Sequence, residues 1–133
     1  LEVASRVGFV ADFVRPLVEA GIVVSLFIDP DKKQVEAAAK TGAQFIELHT
    51  GRYSEAFGTP EEEIEFNHLK DAAALADSLG LKVNAGHGLT YENVHRMHRI
   101  PELVELNIGH NIIARAVFDG LEKAVKDMKS LIS

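Results

Sequence analysis

The sequence predicts an α/β fold built on a parallel sheet. Three features carry that expectation: a repeated cycle of helix, glycine, apolar strand and polar loop; strands that are near-continuous apolar runs; and polar residues gathered where each strand ends. The cycle occurs four times within 133 residues. Helices alternating with buried strands imply parallel pairing through right-handed crossovers. Four βα units suit a small open sheet or half of an eight-stranded barrel, since a complete (β/α)₈ barrel takes about 250 residues. No linker, repeat boundary or low-complexity stretch interrupts the chain, so residues 1–133 read as a single domain. Either architecture places a ligand at the C-terminal ends of the strands.

Each element has its own signal. Val3, Val7, Val10, Phe13, Val14, Leu17 and Val18 recur at helical spacing, with Pro16 expected to kink the last turns and Gly21 to stop the helix. Residues 22–28 read as a strand buried on both faces. Asp29-Pro30-Asp31 caps a helix over roughly 31–40, ended by Gly42, and 44–49 is the second strand. A loop is expected over 50–59. Thr59-Pro60-Glu61-Glu62 then opens a long helix with an N-cap, a proline at the first position and acids in the first turn. That helix runs to Leu79 and stops at Gly80. The third strand spans 81–85, a short helix 91–98 and the fourth strand 103–108. A helix or helix pair covers 111–131, with Gly120 as the break.

Composition narrows the function classes. The chain is 47% hydrophobic and 26% charged with a formal net charge of -6, which argues against a nucleic-acid surface. It contains no cysteine, so thiolate nucleophiles, thiolate metal sites and disulfides are excluded. No apolar run approaches a membrane span and no basic-plus-apolar leader is visible, so a cytoplasmic protein is expected.

The strand ends carry Asp29, then Glu47 and His49, then Asn84 and His87, then Asn107 and His110. Asp29 before Pro30 reads as a cap or turn former. Glu47 lies between Ile46 and Leu48 and points away from them. An unpaired carboxylate in a buried strand is costly, which favours a functional role. His49, before Thr50-Gly51, reads equally well as a loop hydrogen-bonder. His87 stands between Gly86 and Gly88, leaving its imidazole accessible, and imidazole titrates near neutrality. Gly109-His110 precedes the final helix, whose N-terminus is a natural anion site. Zinc held by His49, His87 and His110 lacks supporting spacing. His95, Arg96, His98 and Arg99 read as a solvated basic face, Glu61-Glu62-Glu63 as a helix start, and His68 as a residue without a ligand-type partner at i±4.

The strings VSLFID, FIELHTGRY, LGLKVNAGHGLTYENV and ELNIGHNIIARAVFDGL resemble the C-terminal half of the pyridoxine 5′-phosphate synthase family, which closes the ring in vitamin B6 biosynthesis. The resemblance covers essentially the whole chain. It implies a (β/α)₈ TIM barrel, of which this chain would be the last four βα units, assembling as a homo-octamer without a metal or organic cofactor. It also implies condensation of 3-amino-2-oxopropyl phosphate with 1-deoxy-D-xylulose 5-phosphate to pyridoxine 5′-phosphate, phosphate and water. By motif, His87 resembles the general acid, Glu47 the transition-state stabiliser, and Gly88, Gly109 and His110 the phosphate ligands. The family's N-terminal motifs, which carry further proton acceptors and substrate ligands, do not occur here. Leu1 is therefore expected to be internal to a longer protein, with the isolated chain inactive and dependent on the missing N-terminal half. Two alternatives are a non-catalytic phosphate-ester-binding or assembly subunit, and another phosphosugar barrel enzyme. The latter would want a strand-borne lysine or metal carboxylates, whereas Lys82, the only lysine in an expected strand, sits at the strand's start, far from the rim.

Overall fold

Apolar strands need cover, and the computed structural model, which describes residues 1–132, supplies it on one face of a four-stranded parallel sheet. The strands are β1 (Ser25–Ile28), β2 (Phe45–His49), β3 (Lys82–Gly86) and β4 (Leu103–Asn107), in the order β1-β2-β3-β4. Helix α1 (Val7–Glu19) precedes them. Helices α2 (Lys32–Ala38), α3 (Gly51–Ala56) and α4 (Glu62–Ser78) and a 3₁₀ turn (Val94–Arg99) connect them, and α5 (His110–Asp119) and α6 (Leu121–Leu131) follow.

The core lies between the sheet and these connections. Leu26 and Ile28, Ile46 and Leu48, and Val83 and Ala85 are buried in one cluster with Val35, Phe66, Leu69, Ala73 and Met97. Burying each of the larger side chains in this set, the alanines aside, contributes about 1.5–3 kcal/mol. The intervening positions face the other way. Phe27, Glu47, Asn84 and Glu105 form one register row across the sheet, and His49, Gly86 and Asn107 form the row above it.

This second face corrects the reading of the first strand. β1 is four residues long and alternates, with Ser25 exposed and Phe27 40% exposed, because no described helix covers that side. β4 also departs from simple alternation. Val83 pairs with Leu103 but Asn84 pairs with Glu105, so Val104 is an extra residue. Such a bulge re-phases everything after it. Leu106 then joins the core side while Glu105 and Asn107 join Glu47 and Asn84.

Other boundaries shift for local reasons. Val3 lies before α1, where its N–H and that of Ala4 donate to Gln34 Oε1 at 2.8 and 3.2 Å. α1 runs through Pro16 to Glu19, since only the last turn lies beyond the proline. Residues expected as a loop after β2 contain α3, anchored by Tyr53 and continuous with the strand end. α4 begins at Glu62, and Thr59 sits in the turn before it, where its Oγ1 donates to Ala56 O at 2.7 Å and accepts from the Glu61 N–H at 3.3 Å. The expected short helix is the 3₁₀ turn. Gly120, at φ 81°, does separate α5 from α6. Asp31 rather than Asp29 caps α2, accepting from Lys33 and Gln34 N–H.

Arg96 is not part of a solvated basic face. Its side chain is 13% exposed, lies 4.2 Å over the Phe66 ring and donates to Glu62 and Glu63 at 2.6 Å each. His95 sits edge-on to Phe57, and His68 Nδ1 lies 3.4 Å from Glu65. Some apolar surface stays open: α5 buries no residue, and Ile113, Val117 and Phe118 are exposed, as are Phe9 and Phe13 of α1. No described helix is long and apolar enough to cross a membrane.

The Glu62–Arg96 pair ties α4 to the 3₁₀ turn and has a pH signature. The Gly58 N–H and then Arg96 hold the Glu62 carboxyl below its ordinary 4.5. A depressed folded-state pKa contributes stability that is present above the unfolded value and lost as pH falls through the folded one. Glu62→Gln is expected to cost about 1–2 kcal/mol near neutrality. In urea denaturation that deficit should shrink as pH falls below 4.5; a deficit independent of pH would contradict the pairing.

Candidate active site

Parallel strands bring their C-terminal ends to one rim, and the polar residues after each strand meet there. Glu47 on β2 and Asn107 on β4 are separated by β3, a span of about 10 Å between outer strands. Even so, Asn107 Nδ2 donates to Glu47 Oε2 at 2.7 Å. Gly86 makes this possible. A Cβ on Gly86 would stand 2.5 Å from Glu47 Oε1 and 2.7 Å from the Asn107 carbonyl oxygen. The glycine is therefore a gap in the sheet face through which a carboxylate on one strand reaches an amide two strands away. Asn84, one step down the same face, is buried, and its Oδ1 has no hydrogen-bond partner. A buried acceptor without a donor is uncommon, and it marks this row of the sheet as polar beneath the rim.

His87 follows β3 with φ 80°, the one non-glycine residue at positive φ among those described, and Gly88 follows at φ 78°. A non-glycine residue in this region costs about 1–3 kcal/mol and persists only where its surroundings enforce it. Thr50 is the enforcing neighbour. Its Oγ1 lies 2.6 Å from Gly86 O and 2.5 Å from His87 O, and its N–H donates to Gly86 O at 2.8 Å. The His87 ring stacks at a tilt against His49, with centroids 4.7 Å apart. His49 in turn meets Phe27 edge-on, and its Nδ1 lies 3.7 Å from the Asp29 carboxylate. The backbone of α3 passes close beneath: a Cβ on Gly51 would be 2.6 Å from His49 Cε1. Asp29, His49 and His87 thus form a continuous line along the rim.

The loop after β3 is fastened on two sides. Tyr53 Oη donates to Asn93 O at 2.7 Å, and Asn93 Oδ1 accepts from Thr90 N–H at 2.8 Å. Burial pushes the Tyr53 hydroxyl up to about 12 and keeps it a neutral donor. On the other side, Asn111 Oδ1 accepts from Tyr91 N–H at 3.3 Å, and Arg115 lies 4.4 Å from the Tyr91 ring centroid. The second contact joins the His87–Gly88 loop to the start of α5, where Gly109 is the N-cap and His110 the first residue. No cap side chain occupies that N-terminus, and His110 is exposed. Its free N–H groups and helix dipole favour an anion. His49, His87 and His110 are not placed as a metal-ligand set, and no group of three such ligands exists among the described residues.

Sequence reasoning located Glu47, His49, His87 and His110 at the rim. Gly86 is visible there only as a neighbour that leaves His87 accessible, not as the gap that Glu47 fills, and Thr50 by itself carries no signal of a part in the site. The available signal was the pairing of two strand ends, His49-Thr50-Gly51 and Gly86-His87-Gly88, whose glycines and hydroxyl make sense only once β2 and β3 lie side by side.

The whole chain, residues 1–133, matches the family described as Pyridoxal phosphate biosynthesis protein PdxJ. The chain belongs to this family. Similar relatives are named pyridoxine 5′-phosphate synthase. That of Thermosynechococcus vestitus is 56% identical over 133 residues, which is 100% of this chain and 56% of the relative. That of a Synechococcus strain is 54% identical over 97% of this chain and 54% of its own length. That of a Sulfurihydrogenibium strain is 52% identical over 99% and 54% respectively. The chain thus spans about half the length of the relatives it matches, and membership of the PdxJ family supports a role in vitamin B6 biosynthesis.

Because the Gly86 gap admits both Glu47 and the β4 backbone, Gly86→Ala forces one of them aside. Urea denaturation is expected to show a loss of about 1–3 kcal/mol. Unchanged stability would contradict so close an approach.

Proposed function

We propose that residues 1–133 form the proton-donating, phosphate-binding half of a pyridoxine 5′-phosphate synthase, corresponding to the last four βα units of a (β/α)₈ barrel. The observation that carries this reading is the joining of two Gly-His loops on one rim, one holding a strained, accessible imidazole and the other an uncapped helix N-terminus. Repeated proton transfer beside a phosphate seat is what condensation of 3-amino-2-oxopropyl phosphate with 1-deoxy-D-xylulose 5-phosphate requires. Imine formation, ring closure and loss of water and phosphate each move a proton near neutral pH.

In this reading His87 donates protons to departing oxygens, and its stacking on His49 limits the ring to one side of the mouth. Glu47, fixed by Asn107, presents its second oxygen to positive charge developing on nitrogen. Gly88, Gly109 and His110 receive a phosphate through backbone N–H groups, with the α5 dipole adding to the attraction. Gly88 has no side chain to block that approach.

The rest of the barrel would come from the part of the relatives that this chain does not span. Two features support it. The edges of β1 and β4 are unpaired within the described sheet, and open edges are a liability that barrels remove. The face carrying Phe27, Glu47 and Asn84 has no helix over it among the described residues, as befits a barrel interior. The two substrates, the homo-octamer and the inactivity of the isolated chain belong to the same proposal.

In the full-length protein containing this segment, His87→Ala is expected to lower kcat by about 10²–10⁴-fold with little change in KM, since a general acid acts in the transition state. Steady-state kinetics with both substrates checks this. Unchanged turnover would favour a non-catalytic, phosphate-ester-binding role instead.

A further inference from the structure

We propose that Thr50 is the positioning residue for His87, holding the imidazole in its working orientation by fixing the backbone on both sides of the His87 Cα; this rests on the reading of His87 as proton donor. Thr50 is fully buried at the N-cap position of α3. A threonine there ordinarily accepts a hydrogen bond from the first turn of its own helix. Thr50 makes no such bond. Its hydroxyl is committed across the strand boundary, within 2.6 Å of Gly86 O and 2.5 Å of His87 O.

Those two carbonyls belong to the peptide planes immediately before and after His87. Turning both toward one atom requires the chain to curl at residue 87, and the φ of 80° is that curl. The hydroxyl has one hydrogen to donate, so the two carbonyls share it, while the Thr50 N–H independently satisfies Gly86 O. The next residue is free to follow the curl because Gly88 is glycine, at φ 78°. Glycine at 87 would adopt the same backbone without strain, but it would carry no imidazole. A histidine at a glycine-like backbone position, with a buried hydroxyl diverted from capping to hold it there, is economical only if the ring's direction matters. Relaxation of residue 87 to negative φ would swing the ring out of its stack on His49, and misplacement by about 1 Å can cost a catalytic group 10²-fold.

The test uses the full-length protein and three substitutions at one position. Thr50→Ser keeps the hydroxyl and is expected to retain kcat within about threefold. Thr50→Val keeps the shape without the hydroxyl and is expected to lose about 10–100-fold in kcat with KM changed less than threefold. In that variant the ring-current shift that His49 imposes on the His87 imidazole protons should also collapse in the NMR spectrum. Circular dichroism confirms that each variant is folded. Should Thr50→Val not fold, Thr50→Cys, whose thiol is a weak donor of similar size, takes its place and is expected to fall at least tenfold below Thr50→Ser. If His87→Ala lowers kcat while folded Thr50→Val, or its cysteine substitute, matches the wild type, the positioning role is overturned and the acid role stands. If His87→Ala has no effect, the reading of His87 itself fails. Loss of activity in folded Thr50→Ser would also overturn the proposal.

Discussion

The register of β2, β3 and β4 is the constraint on which the rest of this site depends. Side chains alternate along a strand, so a slip of one residue would exchange the rim's polar groups for core residues. With Glu47 opposite Asn84 and His49 opposite Gly86, the polar set stays on one face while Ile46, Leu48, Val83 and Ala85 fill the core on the other. Apolar burial thereby fixes where the carboxylate and imidazoles stand. The bulge at Val104 completes the arrangement. Without it Asn107 would fall on the core side and Glu47 would have no amide to meet.

Glycine acts here as subtraction. At Gly86 the missing Cβ leaves the space that the Glu47 carboxylate occupies, and at Gly51 it leaves space for the His49 ring. Both lie at strand ends, where backbone and functional side chains compete for room. The strained His87 between Gly86 and Gly88 is the converse case: a position whose backbone suits glycine carries a side chain instead. Local rules are broken together at this rim and obeyed in the core, the pattern expected where function overrides consistency.

Much of the fold was legible from punctuation and periodicity. Gly21, Gly42, Gly80 and Gly120 mark helix ends at positive φ, and the apolar strands fall where expected. The errors have physical causes. The first strand read as buried on both faces because Phe27 is apolar, although nothing described covers it. The α3 helix escaped notice because its anchor, Tyr53, packs against Phe66 and bonds to Asn93, residues distant in sequence. Arg96 looked solvated because its partners Glu62 and Glu63 lie more than thirty residues away. At the site, charged and imidazole side chains were visible as residue types. The residues that place them, Thr50, Gly86 and Asn107, act through pairing between strands, which one-dimensional spacing does not encode.

The central claim is that the two Gly-His loops serve one phosphorylated substrate, with Glu47 and His87 facing it. A crystal structure of the full-length protein with 3-amino-2-oxopropyl phosphate or a stable analogue tests this most directly. The account predicts the phosphate within hydrogen-bond distance of the Gly88, Gly109 or His110 N–H groups, and His87 directed at the ligand. A phosphate bound elsewhere, with these loops empty, would contradict it.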